Sequence, residues 1–554
     1  MRMRNVPKFR KIPKGLGRGE PLRHADHPRP TTRREFISQG FMAGGASVLL
    51  PSLAALVANP RIANATPPLA PDIASAVAAC NISNGSGMIP FICFDLSGGA
   101  NIAGSNVLVG GPTGQLDFLS VAGYSKLGLP GTMVPNSSTT NFIDSSLTLR
   151  YHSDSAQMRG IKTKFTNTAA MANVTGTIVP ALSQNDTNTN PHNPMYGIWQ
   201  AGAQGALLNL IGTDSSVSGG NSMAPPNMIN VAAQPTTIDS GQDTAGLVST
   251  GQLSTLLPNA NDVTNVLESM KRISDAKYPV INSYASAQAV ANAKAVQACS
   301  YTKAAYLLNQ YPNPGAVDPD DDTSIVTTSG SGSIFSLAEY QGNSDFQKTA
   351  AVMKLVIDGD AAAGTIQLGG FDYHTGERAT GEMRDFGAGQ CIGAVLQYAA
   401  LQGKPVMIYV FSDGSLASDG TIDNSTGGRG KGVWTADNQN VAATYWLIFN
   451  PHGKATTAQS SIEASLQLGY FNPDGSQNTT SSPAGNNVPN LVQMVVLNYL
   501  ALHSATDLAR WPTLWPGPGV SGPNTVNTLG SGMALDPLIM YNPLAGLVGG
   551  RVVG

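Results

Sequence analysis

The segment Gly369-Gly370-Phe371-Asp372-Tyr373-His374-Thr375 puts a carboxylate and an imidazole two residues apart, directly after a short β-rich stretch at 364–368. Both groups are good ligands for a borderline divalent ion, so Asp372 and His374 are candidate metal ligands. A hydrogen-bonded pair that fixes the loop is the other reading of the same two residues. Ser412-Asp413-Gly414-Ser415 follows a continuous apolar run and places Asp413 at a second strand end, where Asp-Gly also reads as a plain turn. Thr435-Ala436-Asp437-Asn438 precedes a third β-rich run, and Asp437 reads as a ligand or as a solvated, helix-capping acid. In Asn190-Pro191-His192-Asn193, His192 is a substrate contact or an imidazole that staples its loop. Convergence of Asp372, His374 and Asp413 is the geometric test of a metal site.

These loops need strands to position them. Met88 to Leu96 is an apolar run broken only by Asp95, and Ser97-Gly98-Gly99 follows it, which predicts a buried strand ending in a glycine-rich loop. Residues 154–182 predict a helix and then a strand. Phe346–Ile357, Phe386–Gln402 and Val488–Leu502 predict helices. Pro405–Phe411 and Tyr445–Phe449 predict strands, the first typical of a buried parallel strand. Helix and strand alternate from 346 to 450, which argues for βαβ units and a mostly parallel sheet. Ligands of such sheets collect at the carboxyl ends of the strands. The loops after Leu96, Leu368 and Phe411, and the one before Tyr445, are therefore the places to search. Two further helices are expected at Asp262–Ala276, with apolar residues at 263, 266, 267 and 270, and at Ser286–Asn309.

The N-terminal region addresses the chain for export. Thr32-Arg33-Arg34-Glu35-Phe36-Ile37 precedes a mildly apolar stretch, Phe41 to Ala58, and Ala63-Asn64-Ala65 has the small-x-small pattern of a cleavage site. The expectation is a twin-arginine signal over 1–65, handed to the twin-arginine translocase. The mature protein, with no membrane span, would then be periplasmic or at the cell surface. Residues 1–65 hold 12 of the chain's 32 Lys+Arg and 3 of its 35 Asp+Glu, which leaves 20 against 32 and a net charge of −12. An acidic surface repels phosphate backbones, so nucleic acid is not expected as a partner. Cys93 and Cys391 lie in apolar runs and read as buried small hydrophobes. Cys80 and Cys299 sit in more polar settings, and spacing alone leaves open whether they pair in an oxidising compartment. No Gly-x-Ser-x-Gly elbow at a strand-to-helix turn, phosphate-cradling Gly-x4-Gly-Lys-Ser/Thr loop or Cys-x-x-Cys pair occurs.

From the arginine signal to about Pro516 the chain resembles the exported bacterial family called domain of unknown function 1501, distant relatives of the alkaline-phosphatase and sulfatase superfamily. Leu96-Ser97-Gly98-Gly99-Ala100-Asn101 stands where that family has a strand followed by Gly-Gly-x-Asp. Pro191-His192-Asn193 before Ile198-Trp199-Gln200 stands where it has Ser-His-Phe before an Ile-Trp-Gln segment. Gly369 to His374 stands where it has Gly-Gly-(Trp/Phe)-Asp-Thr-His. Ser412-Asp413-Gly414 matches a strand ending Ser-Glu-Phe-Gly, and Thr435 to Asn438 matches Gly-Thr-Asp-His-Gly. The resemblance implies an alkaline-phosphatase-like α/β domain over 66–516. It would carry a loop-rich insertion at about 212–257, a helical one at about 258–333, and a Pro/Gly-rich tail over 517–554. It also implies a strand-end site that acts on phosphate or sulfate esters through divalent metals. Asp372, His374, Asp413 and Asp437 would be the ligands, with Asn101 and His192 towards substrate. The departures weaken that site. Asn101 replaces an Asp, Asn438 a His, and Pro191 a hydroxyl residue, and an amide binds divalent ions far less well than a carboxylate or imidazole. The expectation is one divalent metal (zinc, manganese or calcium) or none, in a non-catalytic binding or structural component of the cell envelope; action alongside another exported or envelope protein is a third reading. A metal-dependent ester hydrolase is the alternative.

Overall fold

The computed structural model describes residues 69–80, 84–135, 142–183, 191–248, 260–277, 299, 301–311, 314–327, 332–458, 465–516 and 527–553. The twin-arginine segment, its cleavage pattern and residues 286–298 of one expected helix lie outside these. The chain forms two compact units, one from residues 1–82 and 246–314, the other from 83–245 and 315–554.

The larger unit is α/β. The elements that build its main sheet and the loops at the sheet's end are, in chain order, β1 (Phe91–Leu96), α1 (Ala156–Lys164), β2 (Val174–Pro180), α2 (Met195–Gln200), β3 (Leu208–Gly212), β4 (Thr236–Thr237), α3 (Ser344–Asp358), β5 (Ala361–Leu368), α4 (Ala379–Gln402), β6 (Val406–Phe411), β7 (Leu416–Ala417), β8 (Ala436–Asp437), β9 (Ala443–Phe449) and α5 (Val488–His503). Seven strands form one sheet in the order β2-β9-β6-β1-β5-β3-β4. β1 pairs in parallel with β5 and β6, and β3 continues the parallel set with β5 and β4. Only β9 is reversed, antiparallel to both β6 and β2. Its first residue therefore lies at the edge where the other strands end, which is why the loop before it belongs with the loops after β1, β5 and β6.

β1 and β6 are buried along their whole length, as expected of strands covered on both faces: β6 is continuously apolar and β1 is apolar apart from Asp95. Side chains alternate along a strand, so Phe91 and Cys93 on β1 and Met407, Tyr409 and Phe411 on β6 share one face with the apolar side of α5. α4 begins at Ala379, earlier than its apolar periodicity suggests, because its first turns bury Glu382 and Asp385 instead of apolar residues. α1 packs closely against it. A Cβ at Gly389 would lie 2.1 Å from the Gln157 carbonyl oxygen, so only glycine permits that approach. Met540, Tyr541 and Leu544 of the C-terminal tail are buried in the same core, and the Tyr541 hydroxyl donates to the Gly176 carbonyl at 2.6 Å.

The smaller unit contains the helices Pro71–Ala79 and Ala260–Lys277, with residues 301–310 also helical. Ile73, Val263, Leu267, Ala305 and Leu308 form its core, in line with the apolar spacing at 263 and 267. Cys80 and Cys299 are disulfide-bonded, which decides the pairing that spacing left open. Cys93 and Cys391 are free and buried. Among the described residues, no helix is long and apolar enough to cross a membrane.

Candidate metal centre

Beyond Leu368 the chain turns through Gly370 (φ 85°) and then runs with alternating exposure. Phe371 and Tyr373 are buried, while Asp372 is exposed and His374 half-buried. The buried pair anchors the loop. The Phe371 amide donates to the Ser97 carbonyl (3.1 Å), and the Tyr373 hydroxyl accepts from the Asn101 amide (3.2 Å) while donating to Asp385 (3.3 Å). A period of two then turns Asp372 and His374 outwards together.

Asp437 reaches the same place along another route. β7 and β8 pair antiparallel with Leu416 opposite Asp437, and the Asn438 amide donates to the Ser415 carbonyl at 2.8 Å. The Trp434 carbonyl accepts from the Gly376 amide at 3.0 Å, joining this hairpin to the loop of His374. One ligand atom from each of Asp372, His374 and Asp437 lies within 4.8 Å of the others. His374 Nδ1 is 2.5 Å from Asp372 Oδ1 and 3.5 Å from Asp437 Oδ1.

Asp413 is not part of this group. It is fully buried, accepting from the Gly98 amide (2.8 Å) and from Asn221 Nδ2 (2.6 Å). The convergence of Asp372, His374 and Asp413 does not form, so the metal site in the form expected from the sequence is overturned; the acid that does stand beside Asp372 and His374 is Asp437. Asp413 instead faces Asp95, whose carboxylate accepts from the Ser222 amide (2.7 Å) and hydroxyl (3.1 Å). Burial, and then the charge of Asp413, push the Asp95 pKa up to about 7. The one acid inside the run Phe91–Leu96 was the sequence signal for this pair.

Asn101 is fully buried. Its Nδ2 donates to the Leu416 carbonyl at 2.7 Å, and its own carbonyl accepts from Asn106 (3.1 Å), so it ties the loop after β1 to β7 beneath the exposed acids. His192 is also buried, stacked on Phe411 with ring centroids 6.3 Å apart, and burial pushes its pKa down to about 4. It is a neutral packing imidazole at neutral pH. Neither residue lies on the exposed face that carries Asp372 and Asp437.

No known protein family, curated protein or solved structure matches this chain. The site therefore has to be read from its own geometry.

The Asp95–Asp413 pair has a measurable consequence. The folded pKa of Asp95 lies above the ordinary aspartate value, so between about pH 4 and 7 the folded chain holds more protons than the unfolded one. The stabilisation is complete below pH 4 and is lost as pH rises through 7. Asp385, raised to about 7 chiefly by its own burial, adds to the same slope. Asp95→Asn is expected to flatten the decline and to melt higher than wild type at pH 8. Thermal unfolding at pH 5 and pH 8 reads both, and an unchanged pH dependence would remove the pair from this role.

Proposed function

We propose that this chain is an exported cell-envelope protein of alkaline-phosphatase-like architecture. It binds one divalent cation through Asp372, His374 and Asp437 and uses the ion to hold a ligand without turning it over. The observation that carries this reading is the convergence of two carboxylates and one imidazole, from two separate loops, within 4.8 Å at the edge where the parallel strands end. His374 Nδ1 faces both acids, 2.5 Å from Asp372 Oδ1 and 3.5 Å from Asp437 Oδ1, so an ion would take the place of the direct His374–Asp372 contact. An O2N donor set with an imidazole favours zinc or manganese over calcium, which takes oxygen ligands. Three protein ligands leave positions open for a ligand or water.

Binding is favoured over hydrolysis because the second acidic pair at the strand ends is already committed. Asp95 and Asp413 are buried and engaged by Ser222, Gly98 and Asn221, so the partner metal of a two-ion ester hydrolase has no comparable cradle there. Export is supported by the Arg33-Arg34 signal pattern. The openness of the triad favours one second reading, a single-metal hydrolase of phosphate or sulfate esters. The side chains of Asp372 and Asp437 are 53% and 61% exposed, enough for an activated water to approach.

The folded protein, purified without chelators, is expected to carry near-stoichiometric zinc or manganese. His374→Ala is expected to weaken that binding by about 100-fold or more, since even supporting residues around metal ligands cost about 10- to 100-fold. Metal analysis and competitive titration read both values. A well-folded protein that takes up no metal would sink the proposal. Turnover of phosphate or sulfate monoesters that vanishes in His374→Ala would replace it with the hydrolase reading.

A further inference from the structure

A cavity of about 360 Å³ opens between the end of β5, the start of α3 and the first turns of α4. Met383 and Phe386 line it with apolar surface over the buried Leu368 and Phe371, and Asn343, Asp345, Arg384 and Gln390 are its polar residues. It lies beside the turn that leads into Asp372, yet Asp372, His374 and Asp437 are not among its walls.

Arg384 is the informative residue. It is exposed, and among the described residues no acid pairs with its guanidinium. Other arginines of this unit, such as Arg159, Arg378, Arg429 and Arg551, do have carboxylate partners. The guanidinium lies over Gly370, where a Cβ would meet its Cζ at 2.8 Å, so the turn after β5 leaves room for it. An unpaired planar fork at the mouth of a cavity of mixed polar and apolar lining is suited to two-point recognition of a carboxylate-like group. The volume is at the small-ligand end of the usual range.

We infer that this cavity binds a small amphiphilic monoanion of the carboxylate class, its head on Arg384 and its apolar body against Met383 and Phe386. The charge balance favours a single negative charge. Asp345 stands in the wall and Asp372 is close along the chain, so a dianion would face repulsion from both. The inference goes beyond the proposed metal function and stands without a bound ion.

The test is calorimetric titration of the purified folded chain at pH 8 with octanoate, octylammonium and octyl phosphate, run with and without chelator. Octanoate is expected to bind in both conditions, octyl phosphate more weakly, and octylammonium not measurably. Arg384→Gln is expected to weaken octanoate by at least about tenfold, the usual worth of a charged hydrogen bond. Gly387→Leu provides an independent check. Gly387 lines the cavity, and a Cβ there meets nothing within 4 Å, so a side chain can be built from this position towards the cavity without a clash at Cβ. It is expected to abolish octanoate binding. The proposal is overturned if wild type ignores octanoate, if octylammonium or octyl phosphate binds as well, or if both variants bind octanoate like wild type. Binding that persists in chelator while metal uptake fails would leave this inference standing and remove only the metal reading.

Discussion

Glu382→Gln is expected to destabilise the larger unit by about 3–5 kcal/mol, the range for breaking a buried ion cluster by removing one partner. Glu382 is the hub of such a cluster. Its Oε1 accepts from Arg378 Nε (3.0 Å) and Nη2 (2.9 Å) and from Lys431 Nζ (2.8 Å), and its Oε2 accepts from Arg159 (2.6 Å). Arg378 is 1% exposed and Lys431 not at all, so neither cation can turn to water once the carboxylate is lost. Asp154 would remain for Lys431, and the Trp434 ring and a backbone carbonyl for Arg378. Arg159→Gln is the control. Its side chain is 32% exposed, so its loss is expected to cost under about 1 kcal/mol.

The effect should reach the metal centre, because the cluster clamps both of its loops. Arg378 follows the His374 loop, and the Trp434 under its guanidinium precedes Asp437 on the same hairpin. The pH sign is opposite to that of Asp95. Burial pushes the Glu382 pKa up, but Arg378 and Lys431 outweigh burial and hold it below the ordinary glutamate value. Its stabilisation is therefore present above about pH 4.3 and is lost as pH falls below it. Chemical denaturation of both variants at pH 7, with metal titration alongside, checks the two parts. A Glu382→Gln protein as stable as Arg159→Gln would show that the buried cations find other partners.

Gly98→Ala is expected to cost about 3 kcal/mol or more and to remove the metal site with it. Gly98 has φ 120°, a region that side chains rarely enter, and a Cβ there would sit 2.6 Å from the Asp372 backbone nitrogen. The clash is with main chain, so it cannot be relieved by a rotamer change. Relief means moving the Asp372 loop or giving up the bond from the Gly98 amide to Asp413. Gly369→Ala, in the next loop, meets nothing within 4 Å and is expected to be nearly silent. Melting temperature and metal content of the two variants form the comparison. A Gly98→Ala protein that folds and still binds metal would mean the loops after β1 and β5 are not coupled as the contacts indicate.

Much of the frame was legible from local chemistry. The runs ending at Leu96, Leu368 and Phe411 are strands, as their largely apolar, β-rich character suggests, while their adjacency in the sheet is a tertiary result. The disposition of Asp372 and His374 also follows from the sequence, since Phe371 and Tyr373 between and before them are large apolar anchors and extended chain alternates its faces. Asp95 was visible as a charge inside a buried run, although its partner was not.

The sequence by itself determined that strands end at Leu96, Leu368 and Phe411, that Asp372 and His374 stand close together after one of them, and that an export signal pattern precedes them. Only the tertiary structure decided the membership of the site. Asp413 and Asp437 both border strands, and nothing local tells which turns inward. β9 runs against its neighbours, bringing the chain before it back to the edge where β1, β5 and β6 end, and pairing of β7 with β8 then sets Asp437 beside His374. Asp413, two residues beyond Phe411, keeps to the covered side and meets Asp95. The periodicity of side chains is a property of each strand, but strand direction and neighbour are settled by non-local hydrogen bonding across the sheet, so the third ligand could be read only once the chain had folded.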